Sequence, residues 1–244
     1  MPGSLIAVAG AHVIDRLGPQ HRCVAYDARG YGETLYEPEE GWSPVEDALA
    51  VLDAVGFERA CIVACSMGGQ VAIDLALAQP DRVDGLVLIG IGVRGAPPAK
   101  LPVGATAELM ADIESAEAAG DLEQINRLEA WLWLDGPSAP EGRVPGSSRE
   151  LFLDMNGRAL RADDPGDQAE LEPAWPRVAE IAAPTLVMVG NLDLERLQGI
   201  SKTLASTIPG ARLVHLDGVA HLPQLEPDPT TLDRISEFVD RLGA

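Results

Sequence analysis

The sequence is poor in basic residues and in long apolar runs. Lys and Arg number 18 against 38 Asp and Glu, which gives a formal net charge of −20 at pH 7. This balance disfavours nucleic acid and anionic membrane surfaces as partners. No stretch reaches the roughly 18 consecutive apolar residues that a membrane-spanning helix needs. We therefore expect neither a nucleic-acid partner nor a membrane partner, and the sequence leaves the oligomeric state open.

Cysteine is also scarce. The three cysteines, Cys23, Cys61 and Cys65, each lie in an apolar, strand-like run. An odd number of cysteines without metal-type spacing is typical of reduced intracellular thiols. Residues 5–11 are apolar, but they are too few for a secretory leader and no basic residue precedes them. The sequence therefore predicts a cytoplasmic protein with no metal site.

Short apolar runs alternate with helical patterns along most of the 244 residues. The predicted strands are residues 22–27, 60–66, 85–89, 185–189 and 212–216; the predicted helices are residues 44–55, 68–78, 196–206 and 230–242. Continuous apolar runs of this length are typical of a parallel sheet that is covered on both faces. The alternation predicts an α/β fold, with a mostly parallel sheet flanked by helices and right-handed crossovers.

Residues 94–176 interrupt this alternation, because they show helical patterns at 107–118 and 122–133 but no strand pattern. We expect a core formed by residues 1–93 and 177–244, and a helical cap formed by residues 94–176. Trp131, Trp133 and Met155 in the cap are candidates for the apolar wall of a substrate pocket. Packing of the cap onto the core would explain these side chains equally well.

A serine stands at a predicted strand-to-helix junction, in the run Ala64-Cys65-Ser66-Met67-Gly68-Gly69. Small residues two positions before and after such a serine are typical of a nucleophile elbow, in which the serine backbone is strained. The helix that follows would direct its N-terminal N–H groups at the reacting centre. The alternative is an ordinary turn in which the serine is only a helix N-cap.

An acid and a histidine follow two later strands. Asp193 comes after the predicted strand 185–189, and His221 comes after the predicted strand 212–216. Because ligands bind at the carboxyl ends of parallel strands, we expect Ser66, Asp193 and His221 to converge there. Taken singly, Asp193 could be a turn former and His221 a surface residue. Their order along the chain, serine, acid and histidine, matches one hydrolase architecture.

Together these motifs resemble the α/β-hydrolase superfamily, in its lid-bearing group of carboxylesterases, enol-lactonases, carbon–carbon bond hydrolases and cofactor-free perhydrolases. The matching segments are Asp27-Ala28-Arg29-Gly30-Tyr31-Gly32, the elbow at Ser66, residues 184–193, and residues 208–226. The resemblance implies the α/β-hydrolase fold with an inserted helical lid. It also implies a small carboxylic ester or lactone as substrate, with no cofactor.

The same resemblance assigns roles to the candidate residues. Ser66 would attack an acyl carbon, and His221 would take the serine proton. Asp193 would hold the imidazole and stabilise its charged form. The backbone N–H of Met67 would donate to the oxyanion.

The N-terminal part departs from the family pattern. The family places its second oxyanion donor on a His-Gly loop after its third strand, and no His-Gly pair occurs before Asp27. Either the chain lacks that strand and begins inside the following helix, or residues 5–9 form a shortened strand and Gly10 supplies the donor. The spacing of apolar residues favours the first interpretation, which would leave a gap in the sheet. The alternative function is therefore a non-catalytic binder or an inactive member of the fold.

A glycine pattern follows the predicted strand 85–89, in Gly90-Ile91-Gly92-Val93-Arg94-Gly95. It matches a dinucleotide-binding fingerprint, which requires a helix to begin at once. Pro97, Pro98 and Pro102 disfavour a regular helix there. We therefore interpret this segment as a hinge into the cap and predict no dinucleotide cofactor.

Overall fold

The computed structural model describes residues 3–7, 10–98, 100–226 and 229–243. Within these ranges, six strands form one sheet in the order β2-β1-β3-β4-β5-β6, and every pairing is parallel. The strands are β1 (Gly3–Ala7), β2 (Arg22–Tyr26), β3 (Ala60–Cys65), β4 (Val83–Ile89), β5 (Thr185–Gly190) and β6 (Arg212–Leu216). The predicted parallel α/β fold is confirmed, and the five predicted strands match to within two residues at each end.

Among the described residues, five helices belong to the alternating part of the chain. They are α1 (Ala11–Leu17), α2 (Pro44–Ala54), α3 (Met67–Ala78), α7 (Glu195–Thr207) and α8 (Pro229–Leu242). Successive side chains of a strand point to opposite faces, so the sheet has two apolar faces. On one face Ile62 and Leu86 pack in a cluster with residues of α2, α3 and α7. On the other face Val63 and Val87 pack with residues of α1 and α8.

Residues between β4 and β5 form three further helices. They are α4 (Ala105–Ala119), α5 (Leu122–Glu129) and α6 (Ser147–Ala159), and a π-helical turn, Ala130–Asp135, continues α5. These helices have apolar clusters of their own, one of which includes Leu128 and Leu132. The division of the chain into a core and a cap of residues 94–176 stays a prediction.

Strand β1 corrects the favoured interpretation of the N-terminal part. Residues 3–7 pair with β2 on one side and with β3 on the other, at the position where the family has its third strand. The interpretation that the chain begins inside a helix and leaves a gap in the sheet is therefore wrong. The alternative, a shortened strand, is closer, although its residues 8 and 9 lie outside the described residues. The misleading signal was the helical spacing of apolar residues, which continues into α1.

In the part of the chain that the structure describes, no helix is both long enough and apolar enough to cross a bilayer.

Candidate active site

Ser66 lies at the turn between β3 and α3, in a strained backbone conformation. Its φ of 53° and ψ of −123° make it the one non-glycine residue with a positive φ among the described residues. Such a conformation costs free energy and persists only where the surroundings enforce it. Here the Ser66 N–H donates to the Ile89 carbonyl at 3.0 Å, and the Ser66 carbonyl accepts from the Gly69 N–H at 3.0 Å. The predicted elbow geometry is present.

The helix after the elbow packs unusually close to the chain that follows β4. A Cβ added at Gly69 would lie 2.0 Å from Cγ2 of Ile91, so a side chain at this position would force Ile91 or α3 to move. The elbow therefore needs a glycine at this position for packing. The need for glycine at position 69 is separate from the need for small residues at the turn itself.

Asp193 and His221 form a buried hydrogen-bonded pair. Asp193 Oδ2 lies 2.9 Å from His221 Nδ1, and the two residues are 5% and 3% exposed. The other carboxylate oxygen of Asp193 accepts from the Leu194 N–H at 2.7 Å, which fixes the orientation of the carboxylate. A carboxylate at Nδ1 favours the tautomer that carries its proton there. The Nε2 atom is then left free to accept a proton.

Gly90 makes room for this pair. It has a φ of 55°, and a Cβ at this position would lie 2.8 Å from Asp193 Oδ2 and 3.0 Å from His221 Nδ1. The sequence pattern had suggested a hinge or a dinucleotide fingerprint for this glycine. No helix follows it at once, since α4 begins at Ala105. Its position at the end of β4 was the signal that could have linked it to the candidate site.

The helical segment between β4 and β5, called the insertion below, contacts His221 directly. The rings of Trp133 and His221 lie with their centroids 4.7 Å apart, at an angle of 43°. The Trp133 carbonyl, in the π-helical turn, accepts from the His221 backbone N–H at 3.2 Å. The His221 carbonyl in turn accepts from the Cys65 thiol at 3.4 Å. The loop that carries the histidine is thus held from both sides.

A partly buried ion pair connects the same loop to the insertion. Arg143 binds Glu226 through two hydrogen bonds of 2.6 and 2.8 Å, and the Glu226 side chain is 4% exposed. Glu226 also accepts from the Ala220 N–H at 2.6 Å, and Arg143 donates to the Gly218 carbonyl at 2.9 Å. Sequence reasoning missed Arg143, because nothing in its neighbourhood predicts a partner 83 residues later.

A cavity of about 730 Å³ lies between the elbow and the insertion. Ser66, Met67 and His221 line it from the sheet side, and Trp133 and Met155 line it from the insertion. Two of the three candidate substrate-binding residues therefore do face this cavity.

Trp131 does not line this cavity. Its indole N–H donates to the Ala139 carbonyl at 2.8 Å, and its ring packs against the apolar cluster of the insertion. The structure therefore corrects its assignment as a substrate-binding residue. Trp131 has the packing role that was the alternative.

Cys65 and Gln224 also line the cavity. Burial and then the negative charge of Asp193 raise the pKa of the Cys65 thiol to about 12, although a hydrogen bond with Gln224 lowers it in part. The thiol is therefore protonated at neutral pH and is a poor nucleophile beside Ser66. Among the described residues, Gln224 Oε1 is a buried oxygen without a hydrogen-bond partner. Sequence reasoning missed Gln224, which can accept a hydrogen bond inside this cavity.

Comparisons with known proteins agree with this architecture. A family model for the alpha/beta hydrolase family matches residues 5–232. The rhodomycin D methylesterase DauP of Streptomyces sp. (strain C5) is 28% identical over 252 residues, covering 89% of this chain and 84% of the relative. The 2-hydroxymuconate semialdehyde hydrolase of Pseudomonas putida is 28% identical over 219 residues, covering 86% and 74%.

A solved structure gives the same fold. The crystal structure of the esterase RhEst1 from Rhodococcus sp. ECU1013 matches with a TM-score of 0.76 and 23% identity. The match covers 99% of this chain and 92% of the esterase chain.

Proposed function

This chain belongs to the alpha/beta hydrolase family, and we propose that it is a serine hydrolase that cleaves a small carboxylic ester or lactone. The observation that carries this proposal is the buried Asp193–His221 pair, which opens onto the same cavity as the strained Ser66. A nucleophile, a base and a group that orients the base are the three parts that acyl transfer needs.

The reaction would proceed in two steps. His221 Nε2 takes the proton of Ser66 Oγ as this oxygen attacks the acyl carbon, and the same proton then goes to the leaving alkoxide. The acyl group is now an ester of Ser66. A water molecule, deprotonated by His221, attacks that ester and releases the acid and the serine. Asp193 stabilises the imidazolium that forms in each step.

The oxyanion would be stabilised by backbone N–H groups. Met67 is the first residue of α3, so its N–H has no partner within the helix and points to the helix N-terminus. One such donor typically contributes about 3 kcal/mol to the lowering of the barrier. Strand β1 ends at the same edge of the sheet as β3, since Ile6 pairs with Val63. Gly10, the described residue that precedes α1, stays the candidate for a second donor.

The cavity supports a small substrate. Its volume of about 730 Å³ is in the usual range for a small ligand, and apolar side chains such as Trp133, Phe152 and Met155 form part of its wall. The relative named as a methylesterase supports ester cleavage. The non-catalytic alternative rested on the missing His-Gly loop and on a missing third strand, and β1 removes the second of these arguments.

The direct test is hydrolysis of 4-nitrophenyl acetate, of 4-nitrophenyl butyrate and of a small lactone by the purified chain. Ser66→Ala, His221→Ala and Asp193→Asn should each lower kcat/KM by about 10³-fold or more. His215→Ala is the matched control, because His215 lies in β6 with an exposed side chain. Equal activity in folded Ser66→Ala would contradict the proposal, and so would a loss in His215→Ala that matches the loss in His221→Ala.

A further inference from the structure

Glu129, the last residue of α5, lines the same cavity as Ser66. Its carboxylate accepts from Asn156 Nδ2 at 2.6 Å. Asn156 Nδ2 also donates to Asn126 Oδ1 at 3.0 Å, and Asn126 Nδ2 donates to the Leu153 carbonyl at 2.9 Å. This chain of hydrogen bonds joins α5 to α6 and holds the carboxylate in one place. The cavity thus has a fixed acidic group in its wall.

The arginines of the cavity wall are already paired. Among the described residues that line it, the Lys and Arg side chains are Arg29 and Arg94. Arg29 binds Asp47 with hydrogen bonds of 2.8 and 3.0 Å and Glu39 with one of 2.7 Å. Arg94 binds Asp74. Both guanidinium charges are therefore offset by a carboxylate of the protein.

The negative charge of Glu129 is not offset in this way by a basic side chain of the described residues. Within the described ranges, no Lys, Arg or His nitrogen lies within 4.0 Å of its carboxylate, whereas both arginines of the wall have ion pairs. Burial raises the pKa of Glu129, and the hydrogen bond from Asn156 lowers it in part. A partly buried carboxylate without a counter-ion gains free energy from a cation that enters the cavity.

Aromatic side chains line the same cavity. Tyr31, Trp133 and Phe152 line the cavity together with Glu129. Burial and then the charge of the Glu129 carboxylate raise the pKa of Tyr31, and the Tyr31 hydroxyl lies 3.6 Å from Met67 Sδ. Tyr31 thus contacts the residue that follows the nucleophile and is influenced by the charge of Glu129. Aromatic faces together with a carboxylate are the groups that bind substituted ammonium ions.

We propose that Glu129 is a specificity-determining residue that selects substrates with an ammonium-type cation over substrates with a carboxylate. This inference rests on the proposed serine hydrolase function, and it names the class of substrate for that site. Ser66 would attack the acyl carbon, and the cationic end of the substrate would lie against Glu129 and the aromatic rings. A substrate with a carboxylate at the same end would be repelled by the Glu129 carboxylate. The charges of Arg29 and Arg94 would not attract it, since they are offset by ion pairs within the protein.

Two matched sets of esters test the inference, because the cation can lie on either side of the scissile bond. With the charge in the leaving group, the probes are acetylthiocholine, 3,3-dimethylbutyl thioacetate and S-acetyl-3-mercaptopropionate. With the charge in the acyl group, they are the 4-nitrophenyl esters of 4-trimethylammoniobutyrate, 5,5-dimethylhexanoate and glutarate. Each set holds a cation, a neutral isostere and an anion. Release of thiol or of nitrophenol gives kcat/KM.

The wild-type chain should prefer the cation to its neutral isostere by about tenfold in at least one set, and the anion should be the poorest substrate of that set. Glu129→Gln should bring the ratio of cation to neutral isostere close to one. Glu123→Gln is the matched control, since it removes the same charge from an exposed position of α5 and should leave the ratio unchanged.

The possible results distinguish a failure of the proposed hydrolase function from a failure of the inference about Glu129. If neither these esters nor 4-nitrophenyl acetate and 4-nitrophenyl butyrate are hydrolysed, the proposed hydrolase function fails, and this inference fails with it. If they are hydrolysed but neither set shows a cation preference that Glu129→Gln removes, only the inference about Glu129 fails. Faster hydrolysis of the anions by the wild-type chain would also overturn it and would assign the selection to Arg94.

Discussion

Trp133 packs its ring on His221 and accepts the His221 backbone N–H with its carbonyl, at a centroid distance of 4.7 Å and a hydrogen-bond length of 3.2 Å. The insertion thus contributes to the position of the proposed base as well as to the wall of the cavity. A ring that packs on the imidazole restricts its rotation and excludes water from the Asp193–His221 pair.

Replacement of Trp133 by Ala should therefore lower kcat by about tenfold, because the backbone bond to His221 persists while the ring contact is lost. Steady-state kinetics on a 4-nitrophenyl ester measure this effect. Trp131→Ala is the matched control: it removes an equal ring that packs outside the cavity. It should lower the melting temperature without a comparable loss of kcat. Equal losses of kcat in the two variants would contradict the assigned difference between them.

Gly90→Ala should disrupt the acid–base pair. The new Cβ would lie 2.8 Å from Asp193 Oδ2, in a backbone conformation with a φ of 55°. We expect a loss of about 1–3 kcal/mol in the free energy of unfolding and a fall in kcat of roughly 100-fold. Urea unfolding and kinetics measure the two quantities. Gly92→Ala is the control, since a Cβ there meets no atom within 4 Å, and its kinetics should match the wild type. Full activity in Gly90→Ala would contradict the described packing.

Much of the fold could be predicted from local signals. The five predicted strands are continuous apolar runs, and the elbow at Ser66 is a short motif with its own backbone strain. Strand β1 was only the disfavoured alternative, because its five residues have no strong alternation and are followed by a helical pattern. Its identity depends on pairing with β2 and β3, which lie later in the chain.

The surroundings of the candidate site could not be predicted in the same way. Glu129, Asn156 and Arg143 carry no motif, and their roles depend on segments that meet only in the folded chain. Gly90 does lie in a sequence motif, but that motif is typical of dinucleotide binding. Its contact with Asp193 and His221 requires β4 and β5 to be neighbours in the sheet.

The Arg143–Glu226 pair should contribute to stability through its burial. Arg143→Met leaves the Glu226 carboxylate, 4% exposed, without its cation. We expect a loss of about 3 kcal/mol in the free energy of unfolding, measured by urea denaturation at pH 7. Adding Glu226→Gln to that variant should restore part of this loss, since no buried charge is then left unpaired. A double variant that is less stable than Arg143→Met alone would contradict this explanation.

The second oxyanion donor can be tested at Gly10. Its φ of −80° is close to the value that proline requires, so Gly10→Pro removes the N–H with little change of backbone conformation. If Gly10 is the donor, kcat should fall by about 100-fold or more while the circular dichroism spectrum stays that of the wild type. Gly10→Ala keeps the N–H and should retain most of the activity. Similar kcat values for the two variants would exclude this donor.

Ser66 should be an activated nucleophile. The rate at which a fluorophosphonate labels it is the measurement that bears on this point without a choice of substrate. Mass spectrometry of the intact chain and of its peptides should show one adduct, on Ser66, and none in Ser66→Ala. His221→Ala should slow the labelling by about 10³-fold, whereas His215→Ala should not change the rate. A folded wild-type chain that acquires no adduct, or that acquires one elsewhere, would contradict the account.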